Sequence, residues 1–281
     1  MALAFCSIFN CQNQPYSHEK VPPSIELELV WETDTLLKTV ETVAYDSQNE
    51  ILYSANINGH FLAKDDNGSI STIDLNGNII DQAWISGLNA PTGLWIHNNK
   101  LYTTDIDRII EIDIPAGKIN KTISIPGAKS LNDVSCSSEG VIYTTDTGEN
   151  RIFSIKGDQT TLFMENIDSP NGLVCHNNQL LVSQWTPQSL GILDPENKTI
   201  QTISKSIPQA DGVDVYEDKG YFASTWGGKV HYIAKDGTTE VILDTSEEQI
   251  QAADVIYIPA KKLLVVACFN SHKLMAYKVK V

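Results

Sequence analysis

Positive charge is scarce in this 281-residue sequence. Only 20 Lys and Arg residues stand against 35 Asp and Glu residues, which gives a formal net charge of −15 at pH 7. Because phosphate groups are bound by clustered basic side chains, this balance argues against nucleic acid as a partner. It argues equally against adhesion to anionic lipid. The composition leaves the oligomeric state open.

Cysteine pairs and long apolar runs are also missing. None of the five cysteines forms a Cys-x-x-Cys pair, which removes the usual sequence support for a zinc site or a thioredoxin-like redox motif. No stretch approaches the roughly 20 apolar residues of a transmembrane helix, so no transmembrane segment is expected in the folded part of the chain. A helical stripe of apolar residues is nowhere sustained over about 12 residues, and helix is expected to be a minor component.

Residues 1–24 are predicted to form an N-terminal tail. The run from Ala2 to Phe9 is mostly apolar, Cys11 follows, and a polar, Pro-containing stretch continues to Ser24. This resembles the end of a bacterial lipoprotein signal with Cys11 as the lipidated residue, but no basic segment precedes it and the run is short. Two interpretations stay open: a signal remnant of a periplasmic lipoprotein, or an ordinary disordered tail on a cytoplasmic protein.

A four-residue pattern recurs six times from residue 40 onward. Its second positions lie at residues 41, 92, 132, 171, 211 and 253, so the spacings are 51, 40, 39, 40 and 42 residues. A period near 40 residues suits four short strands per unit, as in a propeller blade. The copies are Val40-Glu41-Thr42-Val43, Pro91-Thr92-Gly93-Leu94, Leu131-Asn132-Asp133-Val134, Pro170-Asn171-Gly172-Leu173, Ala210-Asp211-Gly212-Val213 and Ala252-Ala253-Asp254-Val255.

Short runs rich in β-branched residues fill each unit and are separated by Asn, Asp and Gly clusters. Gly93 to His97 and Lys100 to Thr104 are examples, and such runs predict strands joined by turns. The sixth unit ends at Val281 one strand short, whereas a spare strand, Ile25 to Glu32, precedes the first unit. The sequence therefore predicts an all-β fold over residues 25–281. The fold is a six-bladed β-propeller with four-stranded antiparallel blades, and the N-terminal strand closes the last blade.

The second positions of the pattern predict a ring of side chains at one end of the central channel, because the first strand of every blade lines the axis. The ring consists of Glu41, Thr92, Asn132, Asn171, Asp211 and Ala253. Four members carry carboxylate or amide oxygens, the hard donors that Ca²⁺ and Mg²⁺ prefer. Taken singly, Pro-Asn-Gly and Asp-Gly are also ordinary turn sequences. Their shared register favours a metal site, so we expect Ca²⁺, ahead of Mg²⁺, Mn²⁺ or Zn²⁺, between Glu41, Asn132, Asn171 and Asp211.

The repeat region resembles the regucalcin/gluconolactonase family, with diisopropyl fluorophosphatase and the paraoxonases as more distant relatives. The resemblance is most specific at Leu131-Asn132-Asp133, Pro170-Asn171-Gly172 and Ala210-Asp211-Gly212. It implies a six-bladed propeller, an axial Ca²⁺ held by the same four residues, and Asp211 as a ligand that also acts as base or nucleophile. Two positions depart from the family: Thr42-Val43 replaces Gly-Pro after Glu41, and Ser130 stands where sugar lactonases carry Arg. The second departure speaks against an aldonolactone substrate.

A second ring is predicted in the loops after each second strand, on the same face as the axial ring. Its members are Asn56, Asp105 and Asp146 in the first three blades and Trp185, Trp226 and Phe269 in the last three. Together with Thr92 and His60, these side chains are predicted to bind a small amphipathic substrate between a polar and an apolar wall. The Trp residues could instead only pack between blades.

An insertion of about 11 residues, 58–68, lengthens the first unit and carries His60. Long loops of this kind are often functional, so we expect it to cover the mouth as a lid or specificity loop. His272 is the other histidine within reach of the mouth and is a candidate general base. No Ser-His-Asp order, nucleophile elbow or phosphate-binding Gly loop appears.

Two functions are compatible with these residues. The leading one is metal-dependent hydrolysis of a small lactone or ester, with Asp211 and His272 as candidate catalytic residues. The alternative is a non-catalytic ligand-binding propeller in which the metal only rigidifies the channel. A condensing activity like that of strictosidine synthase ranks third, since that relative generally lacks this metal set. The sequence does not identify the substrate.

Overall fold

The computed structural model describes residues 25–280, and they form six four-stranded antiparallel sheets. The first strands of neighbouring sheets contact one another in a closed cycle, so the sheets are the blades of a ring. The predicted six-bladed β-propeller is therefore confirmed. The suggested lipidation at Cys11 falls outside the described residues. Within residues 25–280, no helix has the length and apolar character needed to cross a membrane.

Each blade runs outward from the axis in chain order. The first has β2 (Val40–Asp46), β3 (Ile51–Asn56), β4 (Gly68–Ile73) and β5 (Ile79–Leu88), and the second has β6 (Pro91–His97), β7 (Lys100–Asp105), β8 (Arg108–Asp113) and β9 (Lys118–Ser124). The third has β10 (Leu131–Cys136), β11 (Ile142–Asp146), β12 (Arg151–Lys156) and β13 (Gln159–Glu165). The fourth has β14 (Pro170–His176), β15 (Gln179–Gln184), β16 (Ser189–Asp194) and β17 (Thr199–Ser204). The fifth has β18 (Ala210–Tyr216), β19 (Gly220–Thr225), β20 (Lys229–Ala234) and β21 (Thr239–Asp244).

The sixth blade combines the two ends of the chain. It contains β22 (Asp254–Ile258), β23 (Leu263–Cys268), β24 (Lys273–Lys280) and, as its outermost strand, β1 (Glu26–Glu32). β1 pairs antiparallel with β24 from Glu26 opposite Lys280 to Glu32 opposite Met275. Closure by the N-terminal strand is thus confirmed, and it covers the edge that β24 would otherwise expose.

The apolar core is divided among the interfaces between blades, because both faces of each sheet are covered by a neighbour. Between the fifth and sixth blades, for example, Phe222 and Val230 pack with Leu264 and Val266. A buried residue in such a cluster contacts side chains from another blade, so blade packing depends on pairs distant in sequence. Short 3₁₀ turns at Thr147–Glu149, Pro259–Lys261 and Phe269–Ser271 are the helical elements between residues 25 and 280.

Replacement of Ile25 tests the contribution of the closing segment. Ile25 is 2% exposed and packs in the interface between the fifth and sixth blades. We expect Ile25→Ala to lower the free energy of unfolding by about 2–4 kcal/mol, measured by urea denaturation, because it removes buried methyl groups and leaves a cavity. Val30→Ala, on the adjoining strand β1 but 55% exposed, should change it by less than about 0.5 kcal/mol. Equal effects of the two substitutions would contradict the packing described.

Candidate functional site

β-Bulges occur at the start of the first five inner strands. The pairing register with the second strand shifts between Val40 and Thr42 in β2 and between Leu131 and Val134 in β10, and β6, β14 and β18 show the same shift. The ring positions 41, 92, 132, 171 and 211 all lie within these irregular segments. β22, which follows Ala253, pairs without a shift. A bulge leaves one residue unpaired and redirects its side chain. The side chains of the predicted ligands therefore do not follow the regular alternation between the two faces of the sheet.

The four predicted metal ligands line a single void on the axis. This void measures about 160 Å³ and is bordered by Glu41, Asn132, Asn171 and Asp211. Glu41, Asn171 and Asp211 are 8%, 5% and 4% exposed. The Asn171 side chain hydrogen-bonds the Asp211 carboxylate. The structure therefore brings together four oxygen-bearing side chains from four different blades.

Hydroxyl groups from the preceding blade hold the backbone of these residues. Thr104 and Ser183 donate to the carbonyl oxygens of Asn132 and Asp211. Thr145 Oγ1 donates to the carbonyl oxygen of Asn171 at 2.8 Å. All three hydroxyls lie on second strands, so each of these ligands is positioned by the neighbouring blade as well as by its own.

Two further carboxylates, which the sequence analysis did not assign to the site, border the same void: Asp133 and Asp254. Asp133 Oδ2 accepts the Leu173 N–H at 2.7 Å, and Asp254 Oδ1 accepts the Val255 N–H at 2.7 Å. The Thr42 hydroxyl donates to Asp254. Their signal in the sequence is the third position of the repeat, which reads Thr42, Gly93, Asp133, Gly172, Gly212 and Asp254.

The glycines at this third position make room for the neighbouring blade. A Cβ atom at Gly212 would overlap the Asp254 carboxylate, and one at Gly172 would overlap the carbonyl oxygen of Asp211. Both clashes involve groups that are themselves hydrogen-bonded. Only glycine allows this approach of neighbouring strands.

Electrostatic repulsion and burial act together on these carboxyl groups. Burial, followed by the charges of Asp211, Asp254 and Asp133, raises the pKa of Glu41 well above its usual range. Burial and the Asp133 charge likewise raise the pKa of Asp211, and burial raises that of Asp254. Like charges in a poorly solvated space favour protonation or a bound cation. A cation bound here would therefore be stabilised, and without one these groups favour protonation.

The donor set fits a hard divalent ion. Two carboxylates balance its charge, and two amides add neutral oxygen donors that suit Ca²⁺. Among residues 25–280, no three His, Cys, Asp or Glu side chains are grouped as a metal site. Of these four residue types, the predicted ligand set contains only Glu41 and Asp211. Its other two members are the amides Asn132 and Asn171. Ca²⁺ binding here stays a prediction.

Thr92, predicted to contact substrate, is occupied by contacts within the fold. Its hydroxyl lies 2.7 Å from Thr104 Oγ1 and donates to the carbonyl oxygen of Asn132 at 2.8 Å. The side chain is 7% exposed. Thr92 thus connects the second and third blades beside the ligand Asn132.

The polar wall predicted from Asn56, Asp105 and Asp146 requires correction. These side chains are 2%, 0% and 0% exposed. Asp105 Oδ2 pairs with Arg108 Nη2 at 2.7 Å, and Asp146 Oδ2 pairs with Arg151 Nη2 at 2.9 Å. Each aspartate has an internal ion pair, and neither faces an open mouth.

The same two aspartates accept hydrogen bonds from backbone N–H groups in the turns that directly precede inner strands. Asp105 Oδ1 accepts the N–H of Ala90 at 2.8 Å, and Asp146 Oδ1 accepts that of Ser130 at 2.9 Å. Asn56 donates to Ser71 Oγ at 2.7 Å inside the first blade. These three residues therefore fix the entry turns and the blade interior instead of forming a polar wall.

Asp105 and Asp146 are buried because they stand one strand position before the places that the Trp residues occupy in later blades. Asp105 and Asp146 pair with Pro91 and Leu131, and the residues in the same pairing position of the next two blades are Gln184 and Thr225. The Trp residues stand one place later in the chain. Successive strand residues point to opposite faces, so the polar and aromatic groups of the predicted ring do not share an orientation.

The aromatic members do lie together. Trp185 and Trp226 have ring centroids 6.2 Å apart, and Trp226 and Phe269 have centroids 4.8 Å apart. All three are half-buried. The backbone N–H groups of the two Trp residues donate to the carbonyl oxygens of Ser169 and Gln209, which directly precede inner strands. This aromatic wall (Trp185, Trp226 and Phe269) therefore stands beside the start of those strands, at the mouth.

Phe269 connects the aromatic wall to the buried core of the first two blades. It packs against a buried cluster of Ile57, Ala90 and Ile106. Ile57 and Ile106 follow Asn56 and Asp105 directly, at the positions that correspond to the Trp residues, and the sequence analysis missed them for that reason. Ile57, Ala90 and Ile106 are 1%, 0% and 5% exposed, so they support Phe269 from within the fold and do not add exposed apolar surface to the mouth.

The insertion reaches from the first blade to the second. Lys64 Nζ pairs with Asp107 Oδ2 at 2.6 Å, and Asn58 Nδ2 donates to the carbonyl oxygen of Asn67 at 3.2 Å. His60 is exposed and stacks on Phe61 with ring centroids 4.6 Å apart. The insertion is thus attached at the rim, and a direct contact of His60 with substrate stays a prediction.

His272 is held in one orientation by the first blade. Its Nδ1 accepts the Thr39 N–H at 2.9 Å. A backbone N–H can only donate, so the neutral ring carries its own proton on Nε2. This tautomer presents an N–H group to its surroundings, and the expected role as general base is revised to that of a hydrogen-bond donor.

Sequence comparison finds no matching family profile and no matching curated protein. Solved structures of similar fold include a gluconolactonase from Xanthomonas campestris, at 15% identity and TM-score 0.65, over 90% of this chain and 87% of that one. A catalytically inactive virginiamycin B lyase from Staphylococcus aureus with quinupristin matches at 14% identity and TM-score 0.65, over 90% and 99%. A chain of a nidogen/laminin complex matches at 16% identity and TM-score 0.65, over 78% and 84%.

At these identities the likeness shows a common propeller fold. The fold neighbours include a gluconolactonase, in line with the resemblance of the repeat, but also a lyase and a chain from a protein–protein complex. Fold alone therefore does not select an activity, and the function must be argued from the site.

The buried carboxyl groups predict a characteristic pH dependence in chelator. A carboxyl whose pKa is raised in the folded state binds protons more tightly there, so the free energy of unfolding falls as pH rises from the ordinary value near 4 through the raised pKa values. Urea denaturation should show this fall, and Glu41→Gln should reduce it. Exposed Glu139→Gln is the control. Stability that rises over this range and responds equally to both substitutions would contradict the described site.

Proposed function

We propose that this protein is a metal-dependent hydrolase of a small ester or lactone with an apolar or aromatic substituent. The observation that carries the proposal is the convergence of Glu41, Asn132, Asn171 and Asp211 on one axial void. Four blades supply these groups, and their carboxylate and amide oxygens suit a divalent ion.

Each residue has a definite part in this proposal. Glu41, Asn132, Asn171 and Asp211 would hold Ca²⁺, which when bound polarises a carbonyl oxygen and orients water. Asp211 would be a ligand that also removes a proton from water or attacks the carbonyl carbon. The Nε2–H of His272, fixed by the Thr39 contact, would donate to a developing negative oxygen.

The substrate class is inferred from the mouth. The aromatic wall offers apolar contact and is supported by the buried cluster beneath Phe269, whereas the predicted polar wall is buried inside the blades. Apolar walls with a few polar groups at depth are typical of small-molecule sites. An aryl or alkyl ester, or a lactone with such a substituent, fits this surface better than a polyhydroxylated sugar lactone.

A non-catalytic binding propeller is the second candidate. The enclosure of Asp211, at 4% exposed, and the hydrogen bond that occupies His272 Nδ1 favour it. In that case the ion would only stiffen the axis, and the aromatic wall would bind a ligand without turnover.

Loss of the Asp211 charge tests catalysis. A panel of aryl esters and of substituted and sugar lactones should reveal turnover that Asp211→Asn reduces roughly 100-fold or more, because a ligand and the proposed base are lost together. Asp168→Asn, an exposed aspartate near the mouth, is the matched control and should retain activity. Equal rates for wild type and Asp211→Asn, or no turnover of any ester or lactone, would leave the binding propeller as the better reading.

Calcium titration after chelation tests the ion separately. If Ca²⁺ binds the folded state, the melting temperature should rise with its concentration, and the free energy of unfolding should gain about 2.7 kcal/mol at 100 times Kd. Glu41→Gln should weaken this gain strongly, whereas Glu139→Gln should leave it unchanged. An identical melting temperature with and without Ca²⁺ would refute the proposed metal site.

A further inference from the structure

A second cavity lies at the opposite end of the axis. Its empty volume is about 770 Å³, and it is lined by residues of all six inner strands, from Val43 in β2 to Tyr257 in β22. The axial donors lie at the beginnings of the same strands. This lower channel therefore opens on the propeller face away from the aromatic wall, and the proposed hydrolase does not use it.

Its charged groups have a single sign. The lining contains Asp133, Asp214 and Asp254, and it contains no Lys, Arg or His. Asp214 Oδ2 accepts the Tyr257 N–H at 2.6 Å, and its Oδ1 accepts the Val215 N–H at 2.7 Å. A carboxylate has about four acceptor positions, so these contacts leave part of its capacity free. Asp214 is also half-buried and is therefore within reach of a solute in the channel.

The rest of the wall is apolar and aromatic. Tyr45, Trp95 and Tyr257 line the channel together with aliphatic side chains such as Leu94 and Val174. Tyr45 and Trp95 are half-buried. Aromatic faces attract cations, most strongly where the cation loses part of its water. Carboxylates at depth and aromatic groups along the wall thus favour the same kind of ligand.

The channel and the axial void adjoin each other. Asp133 and Asp254 border both, so these two side chains separate the ring of oxygen donors from the apolar channel. A ligand in the channel would approach Asp214 without displacing Glu41 or Asn132, which belong only to the upper void. The two cavities are therefore distinct binding spaces on one axis.

We propose that the lower channel binds a small organic cation, an ammonium group with apolar substituents. A neutral apolar molecule would leave the negative charge of Asp214 uncompensated, and an anion would be repelled by it. A hydrated divalent ion would meet mostly hydrocarbon, which cannot replace its water ligands. An alkylammonium ion meets both needs, since its charge pairs with Asp214 and its methyl or methylene groups contact the walls.

Choline and its uncharged isostere 3,3-dimethyl-1-butanol provide the test. Isothermal titration of the full chain in chelator should show saturable 1:1 binding of choline and at least about tenfold weaker binding of the isostere. Asp214→Asn should weaken choline binding about tenfold or more while one side-chain oxygen still accepts the Tyr257 N–H. Asp244→Asn, exposed on an outer strand, should leave the choline affinity unchanged.

Two more variants locate the ligand and keep the test independent of folding. Tyr45→Leu removes an aromatic wall group without touching a carboxylate and should also weaken binding, whereas Asp211→Asn at the upper void should not. Circular dichroism melts identify folded variants. Equal affinity for both probes or an unchanged affinity in both Asp214→Asn and Tyr45→Leu would overturn the proposal. So would, in a parallel titration without chelator, displacement of choline by one equivalent of Ca²⁺ in an Asp214-dependent manner. The last outcome would indicate a metal site.

Discussion

Close packing of six inner strands around one axis is the constraint on which the rest of this structure depends. At Gly172 and Gly212 the neighbouring blade occupies the space that a side chain would need. Hydroxyl groups then connect the blades at the same level, as Thr145 does by donating to the carbonyl oxygen of Asn171. The backbone that presents each axial donor is consequently fixed by two blades, and this rigidity allows unfavourable groups to be held near one another.

Those unfavourable groups are carboxylates. Glu41, Asp211, Asp133 and Asp254 border a void of about 160 Å³, and burial together with the charges of neighbouring carboxylates raises the pKa of the first two. Asp133 and Asp254 are engaged by neighbouring N–H or hydroxyl groups, whereas Glu41 and Asp211 share the void with amides. The two faces of the propeller then differ in chemistry. One combines hard oxygen donors with an aromatic mouth, and the other leads through an apolar channel to Asp214. A single acidic axis thus separates two spaces with different preferences.

The mouth shows where inference from the repeat stopped being sufficient. Each member of the predicted second ring was chosen by its distance along the chain from the repeat pattern. A β-bulge adds one residue to a strand, so such a distance can assign a side chain to the wrong strand position by one residue. Asp105 and Asp146 consequently belong to the pairing position occupied by Gln184 and Thr225 in later blades. Their carboxylates form internal ion pairs with Arg108 and Arg151. The apolar residues one place later, Ile57 and Ile106, lie with Phe269.

The sequence by itself determined the number of blades, the closing role of the N-terminal strand and the kind of atoms at the axis. Each of these follows from a period near 40 residues and from side-chain type at equivalent positions, and both are local properties of the chain. Only the tertiary structure decided which carboxylates join the site, where the aromatic wall stands and which nitrogen of His272 carries the proton. Those features depend on contacts between residues far apart in the chain, such as Thr39 with His272 and Thr42 with Asp254, and no repeat pattern records the distance between them.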